Sequence, residues 1–225
     1  MPRVVVGSQN DFRATVIDFT NPASPSPLLI SPNVGSGCQV NTNGPALAVG
    51  GLLSSSGAVQ LYDITNPAAP VMQGSINTQL GGIGAIAVRG SLVAVGENVN
   101  NFKARVMLID ISNPNAPVIK GTAAQTPLVN ASTSPTDTLG AIASIAFLNN
   151  SIVFVSGPAD PRVFKVDFTT PNSPVVTPFS PVVSGGATLD LDASAARLAV
   201  GDTNSGLLKL FNAAKKKNKI KNKKK

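Results

Sequence analysis

The sequence contains no histidine, no tryptophan and one cysteine, Cys38, and only 13% of its 225 residues are charged. Each absence removes a class of chemistry. Without histidine, serine–histidine and cysteine–histidine nucleophilic pairs have no base. A structural zinc site needs about four Cys or His ligands, and these are missing. One cysteine makes no intramolecular disulfide, and Cys38 reads as a small apolar filler. No stretch of about 18 uninterrupted apolar residues is present, so no transmembrane helix is expected. Residues 1–10 lack the apolar core of a secretory signal and read as a strand running into a turn. No catalytic residue, metal ligand or cofactor site is expected.

The composition favours β-structure. Twenty Gly and 18 Pro suit short strands joined by turns, and 43% hydrophobic residues can fill a core in one or two domains. The net charge of +7 is local: eight of the 18 basic residues lie in Lys215–Lys225. The rest of the chain has ten basic and eleven acidic side chains, which gives no basic surface for nucleic acid.

The dominant feature is an internal repeat. Ile17-Asp18-Phe19-Thr20-Asn21-Pro22 returns as Tyr62-Asp63-Ile64-Thr65-Asn66-Pro67, Ile109-Asp110-Ile111-Ser112-Asn113-Pro114 and Val166-Asp167-Phe168-Thr169-Thr170-Pro171. A degenerate fifth copy places Asn212 at the aspartate position, and the spacings are 45, 47, 57 and 45 residues. A second segment precedes each anchor by 11 to 14 residues: Val4–Gly7, Leu47–Gly50, Val93–Gly96, Val153–Ser156 and Leu198–Gly201. Before it comes a segment of small residues, such as Gly84–Val88, Ala141–Ala146 and Ala187–Leu191, with Gly37–Val40 as a weaker version. A fourth segment follows the proline turn at Pro70–Gly74, Pro117–Gly121 and Pro174–Thr177. All four are short, β-branched and bounded by Gly, Pro or Asn, which predicts four strands per unit. Four strands per 45-residue unit match a propeller blade, which must pack on its neighbours to bury both faces.

The run Leu61-Tyr62-Asp63-Ile64-Thr65-Asn66-Pro67-Ala68-Ala69-Pro70-Val71, with Leu47-Ala48-Val49-Gly50 before it, resembles the LVIVD-repeat propellers of microbial, often cell-surface, proteins. The resemblance spans residues 3–212. It implies an all-β propeller of about five four-stranded blades with incomplete terminal blades, and it implies a surface or extracellular setting. The chain as written has no export signal and would be cytoplasmic if complete. The fourth unit departs from the pattern at Ser156 and Thr170, and the fifth lacks the Asn-Pro turn.

Asp18, Asp63, Asp110 and Asp167 are expected to be structural: each carboxylate accepts backbone N–H groups of its own turn. One carboxylate per blade is too dispersed for a hard cation, which gathers six or more oxygens. The small-residue strands belong near the axis, where blades crowd. Asp190 and Asp192 would share one side of a strand, but no partner group equips them for acid–base work. The sequons at Asn130 and Asn149 matter only in a secreted protein.

In an antiparallel blade the connections alternate between two ends. The Asn-Pro turns fall on one end; the loops 8–13, 51–58, 97–103, 157–162 and 202–206, with the between-blade loops, fall on the other. That end varies, and variable loops on a rigid scaffold are where binding resides. The longest connection, 123–139, accounts for the spacing of 57. Asp11, Arg13, Glu97, Asn98, Asn101, Lys103, Asp137, Asp160, Asp202 and Asn204 are the candidates for a polar, partner-binding mouth, with solvated loop positions as the competing reading.

The first unit lacks its inner strand and the last its outer one. Five blades with two short, four blades with a surplus hairpin completing the first, and an open arc of a larger ring are the alternatives. Unpaired terminal strands invite self-association. The Lys/Asn-rich tail 213–225 is self-repelling and expected to be disordered. It is either solubilising, or the translation of an A-rich stretch, or a nonspecific nucleic-acid-binding arm. The functional expectation is a non-enzymatic scaffold that binds a protein or glycan through the variable loop end. The alternatives are a remnant of a propeller enzyme, lactonase- or quinoprotein-like, and nucleic-acid binding by the tail.

Overall fold

The structure is a computed structural model and describes residues 3–8, 13–29, 36–53, 56–66, 69–78, 81–99, 103–123, 142–157, 160–179, 189–194, 197–202 and 207–212. These residues form eighteen strands in five antiparallel sheets. The first sheet holds β1 (Arg3–Gly7), β2 (Ala14–Asp18) and β3 (Ser26–Leu29). The second holds β4 (Ser36–Asn43), β5 (Ala46–Leu53), β6 (Ser56–Asp63) and β7 (Val71–Asn77). The third holds β8 (Gly81–Arg89), β9 (Leu92–Val99), β10 (Lys103–Asp110) and β11 (Val118–Ala123). The fourth holds β12 (Ser144–Phe147), β13 (Ile152–Gly157), β14 (Asp160–Asp167) and β15 (Val175–Pro178). The fifth holds β16 (Leu189–Ser194), β17 (Arg197–Asp202) and β18 (Leu207–Asn212). Each unit of the repeat is one sheet, and the two terminal sheets have three strands. β16 pairs with β17 in a sheet of its own, so it does not complete the first sheet. The tail 213–225 lies outside the described residues.

Successive sheets pack through their first strands: β4 lies against the first sheet, β8 against the second, β12 against the third and β16 against the fourth. The Leu-Ala-Val-Gly pattern explains how. Alternate side chains of a strand point to opposite faces. Leu47 and Val49 join a buried cluster with Ala14 and Val16 of the first sheet, while Ala48 belongs to the cluster shared with the third. Every sheet therefore has a trailing face, toward its predecessor, with bulky residues on its second segment. Its leading face has Ala and Gly there in the second, third and fifth sheets, Val5 and Gly7 in the first, and Phe154 and Ser156 in the fourth.

One packing pattern recurs at all four junctions, a quartet at the first three and a trio at the fourth, where Lys165 stands at the position of Leu61 and Leu108. Third-strand residues on the leading face meet the bulky pair on the next sheet's trailing face. These are Ala14 and Val16 with Leu47 and Val49, Val59 and Leu61 with Val93 and Val95, Val106 and Leu108 with Val153 and Val155, and Val163 with Leu198 and Val200. Each buried Val or Leu contributes about 1.5–3 kcal/mol in transfer terms, so the junctions dominate the core.

Glycine sets the spacing between sheets. A Cβ on Gly50 would lie 2.8 Å from Ile83 Cγ2, and one on Gly96 would lie 2.4 Å from Ile142 Cγ2. Gly7 meets Cys38 through the backbone, its Cβ falling 2.6 Å from the Cys38 carbonyl oxygen and 3.3 Å from Sγ, which places the lone cysteine in a junction. A second contact sits at the outer strands. β7 and β11 carry an irregularity opposite Leu61/Tyr62 and Leu108/Ile109. Just after it, a Cβ on Gly74 would fall 2.2 Å from the Pro114 carbonyl oxygen, and one on Gly121 would fall 2.2 Å from that of Pro171. The Asn-Pro turn of one sheet is thus seated on the outer strand of the sheet before it.

The strands run further than the sequence pattern suggests. Leu53 pairs with Ser56, Val99 with Lys103, Gly157 with Asp160 and Asp202 with Leu207. Glu97, Asn98, Lys103, Asp160 and Asp202, read from sequence as loop residues, are therefore strand residues. Backbone pairing continues wherever both strands can exchange N–H and C=O groups, and polar side chains do not interrupt it.

Candidate interaction surface

The Asn-Pro turns all lie at one end of the sheets. In each, the aspartate that ends the third strand accepts from the residue two ahead. Thr20 N–H donates to Asp18 Oδ1 at 2.8 Å, Thr65 N–H to Asp63 Oδ1 at 2.7 Å, Ser112 N–H to Asp110 Oδ1 at 2.8 Å and Thr169 N–H to Asp167 Oδ1 at 3.0 Å. The Thr20 and Thr169 hydroxyls add bonds of 2.6 Å to the same oxygens. The next residue is buried and fixes the turn: Ile64 N–H donates to Pro45 O, Ile111 N–H to Ser91 O and Phe168 N–H to Ser151 O.

Donation to the charged form lowers a carboxyl pKa. The Ser112 N–H and hydroxyl, then Lys120, hold Asp110 at about 2 against an ordinary 3.8. The Thr65 hydroxyl and N–H lower Asp63. At Asp167, partial burial pushes upward, but Thr169 and Lys165 together outweigh it and the net direction is down. These carboxylates are committed to their own turns, one per sheet. Among the described residues, no three or more acidic or cysteine side chains converge as a metal site would require.

On the same end, a cleft of about 210 Å³ opens between the second and third sheets, lined by Leu47, Leu61, Tyr62, Gln73, Ser91 and Ile111 among others. It is small for a ligand pocket, which commonly holds about 300–1,000 Å³. The Tyr62 hydroxyl is occupied, donating to Gln60 Oε1 at 2.8 Å, and burial raises its pKa.

The opposite end carries the second-to-third-strand loops and the links between sheets. Of the ten candidates for a polar mouth, Asp11, Asn101, Asp137 and Asn204 lie outside the described residues. Lys103, Asp160 and Asp202 sit at strand ends bordering these loops. Arg13 is exposed, and its carbonyl accepts from Ser8 N–H at 2.9 Å. Asn98 is half-buried and accepts the Ile142 N–H at 2.7 Å, tying the third sheet to the link that enters the fourth.

Glu97 is not at a solvated mouth: it is fully buried. Its Oε1 accepts the Thr78 hydroxyl at 2.6 Å and the Gly81 N–H at 3.0 Å. Its Oε2 pairs with the Arg105 guanidinium, which also donates to the Thr78 carbonyl. A buried carboxylate is tolerable only when paired and hydrogen-bonded. The cluster clamps the link between the second and third sheets. Thr78 and Arg105 have no mark in the repeat pattern. One signal does exist: Arg105 directly faces Glu97 across the β9–β10 ladder, and opposite charges are favoured at such pairs.

The repeat now has both its residues and its geometry, and a family model agrees. The LVIVD repeat model matches residues 61–78 and 85–124, the second stretch running through nearly all of the third sheet. The chain carries LVIVD repeats. No curated protein matches it in sequence. Among solved structures, the LVIVD-repeat chain is similar to the WD40 β-propeller domain of Doa1, with TM-score 0.59 and 11% identity over 93% of this chain and 61% of that one. It is also similar to the β-propeller domain of Cps50 (Swd1) from Myceliophteria thermophila, with TM-score 0.61, 12% identity, and 93% and 66% coverage. A structure of a nidogen/laminin complex gives TM-score 0.60 and 9% identity, with 93% and 71% coverage. At such identities the likeness is one of fold: the five sheets are blades of a β-propeller. The LVIVD-repeat chain spans about three-fifths of the Doa1 domain and two-thirds of the Cps50 domain.

Proposed function

We propose that this LVIVD-repeat propeller is a non-enzymatic interaction scaffold whose protein or glycan partner docks on the loop end of the blades. One observation carries the reading: the two ends are unlike. The turn end repeats one hydrogen-bonded Asp-capped motif four times, with its carboxylates occupied. The loop end differs from blade to blade in length and side chains, while the Glu97 clamp and the Asn98 bond hold its edges in place. Rigid edges with varied loops suit recognition.

The test uses a glycan array and a displayed peptide library, each probed with the chain and with two variants. In one, residues 9–12, 100–102, 158–159 and 203–206 are replaced by Gly-Ser of equal length. In the other, the turn-end residues Asn21, Asn113 and Asn172 are changed to Ser. Binding lost only in the first variant supports the loop end. Binding lost only in the second, or equal in all three, overturns it. Should the chain bind nucleic acid, loss of that binding on removal of residues 213–225 would assign it to the Lys-rich tail and not to the blades. A stoichiometric metal in the purified protein would instead favour the enzyme-remnant reading.

A further inference from the structure

The junction contact is made four times inside the chain and left open at both ends. On the trailing face of the first blade, Val4 and Val6 occupy the positions that Leu47 and Val49 fill in the second, yet they are 48% and 43% exposed where the latter are buried. On the leading face of the fifth blade, Leu208 and Leu210 occupy the positions of Val59 and Leu61, yet they are 70% and 65% exposed. Their neighbours confirm the orientation. Val5, between the two exposed valines, packs toward the second blade, and Phe211 packs toward the fourth.

The molecule therefore displays one unfilled leading face and one unfilled trailing face, the two surfaces that mate at each internal junction. They do not cover one another, since both remain exposed. The match to only 66% of the Cps50 propeller domain agrees with five blades occupying an arc. Isolated apolar residues on a surface are ordinary, but paired ones at positions that are buried in the other blades, Lys165 apart, are not.

We propose that the chain associates head to tail with a second copy of itself, Leu208 and Leu210 of one copy packing on Val4 and Val6 of the next. The faces differ, so the contact is heterologous. Each copy keeps one open face after the first contact, and growth proceeds to a closed ring or an open helix.

Sedimentation velocity and light scattering of the full chain across micromolar to hundreds-of-micromolar concentrations test this directly. The expected result is a mass that rises with concentration through multiples of 22.9 kDa. Val4→Glu with Val6→Glu, and separately Leu208→Glu with Leu210→Glu, should each be monomeric, with far-UV circular dichroism matching the parent. Mixed, the two variants retain one intact face of each kind and should form a one-to-one dimer that grows no further. A parent that stays monomeric at the highest concentration overturns the proposal, independently of how the variants fold. So does either variant that still self-associates, which would point to like faces pairing with like.

Discussion

Substituting Gly50 by alanine places a methyl group inside a junction, and the structure says what it strikes. The new Cβ would lie 2.8 Å from Ile83 Cγ2, 3.2 Å from its Cβ and 3.3 Å from its Cγ1. The backbone at Gly50 is ordinary strand, so a clash and not strain sets the cost. Overpacking of this kind costs about 1–3 kcal/mol. The reduced entropy of the unfolded chain offsets about 0.4–1 kcal/mol of it. Ile83→Ala alone opens a cavity at a buried position and costs about 2–5 kcal/mol. With both changes, the atoms at 2.8 and 3.3 Å are gone, and the added methyl partly refills the space. The double variant should therefore be more stable than the sum of the singles predicts, by about 1–2 kcal/mol. Urea unfolding followed by far-UV circular dichroism gives the three free energies; with no tryptophan and one tyrosine, fluorescence has little to report. Gly44→Ala is the control. Its φ is +60° and no atom lies within 4 Å of the built Cβ, so it should destabilise through the backbone and show no coupling to Ile83. Effects at Gly50 and Ile83 that add within about 0.3–0.5 kcal/mol would refute this packing.

Removing one partner of the buried pair, as in Glu97→Gln, should cost about 3–5 kcal/mol because Arg105 is left beside an uncharged group, and Glu97→Gln with Arg105→Met should recover much of it; urea midpoints decide. Gly121→Ala should destabilise by about 1–3 kcal/mol, because the atom it meets is the Pro171 backbone carbonyl and not a side chain that can turn aside. The aspartate turns predict an acid transition. Asp110 is about 2 when folded and 3.8 when free, so the unfolded chain takes up the proton first. Its contribution is complete above pH 3.8 and is lost as pH falls toward 2. Melting temperature should drop across that window, and Asp110→Asn should start lower at neutral pH and drop less. A variant with the same acid slope as the parent would remove Asp110 from the account.

Much of the architecture was legible in the sequence because the repeat is written in turn chemistry and strand alternation. Asp-x-Thr/Ser-Asn-Pro marks the end of each third strand, and Leu-Ala-Val-Gly marks each second strand, so the repeat units and their strand order followed, while the choice between four and five sheets waited on the pairing of β16 with β17. The partners of each face did not. Alternation separates Leu47 and Val49 from Ala48 and Gly50, but it does not say which pair looks forward. Only the packed sheets reveal that Gly50 receives Ile83 and Gly74 receives the Pro114 carbonyl. Glu97 was misplaced for a related reason. A charged residue after glycine reads as a loop, and only Thr78 and Arg105, brought from other strands, make its burial tolerable. The loop end itself is mostly short segments whose sequence carries no periodicity, so neither alternation nor turn chemistry ranks their residues.

The central claim is that consecutive repeats stack as blades, leading face on trailing face. Methyl–methyl nuclear Overhauser contacts in Ile/Leu/Val-labelled protein test it most directly. The account predicts cross-peaks from Val16 to Leu47 or Val49, from Leu61 to Val93 or Val95, from Leu108 to Val153 or Val155, and from Val163 to Leu198 or Val200. Cross-peaks confined within single repeats, or joining repeats that are not consecutive, would contradict it.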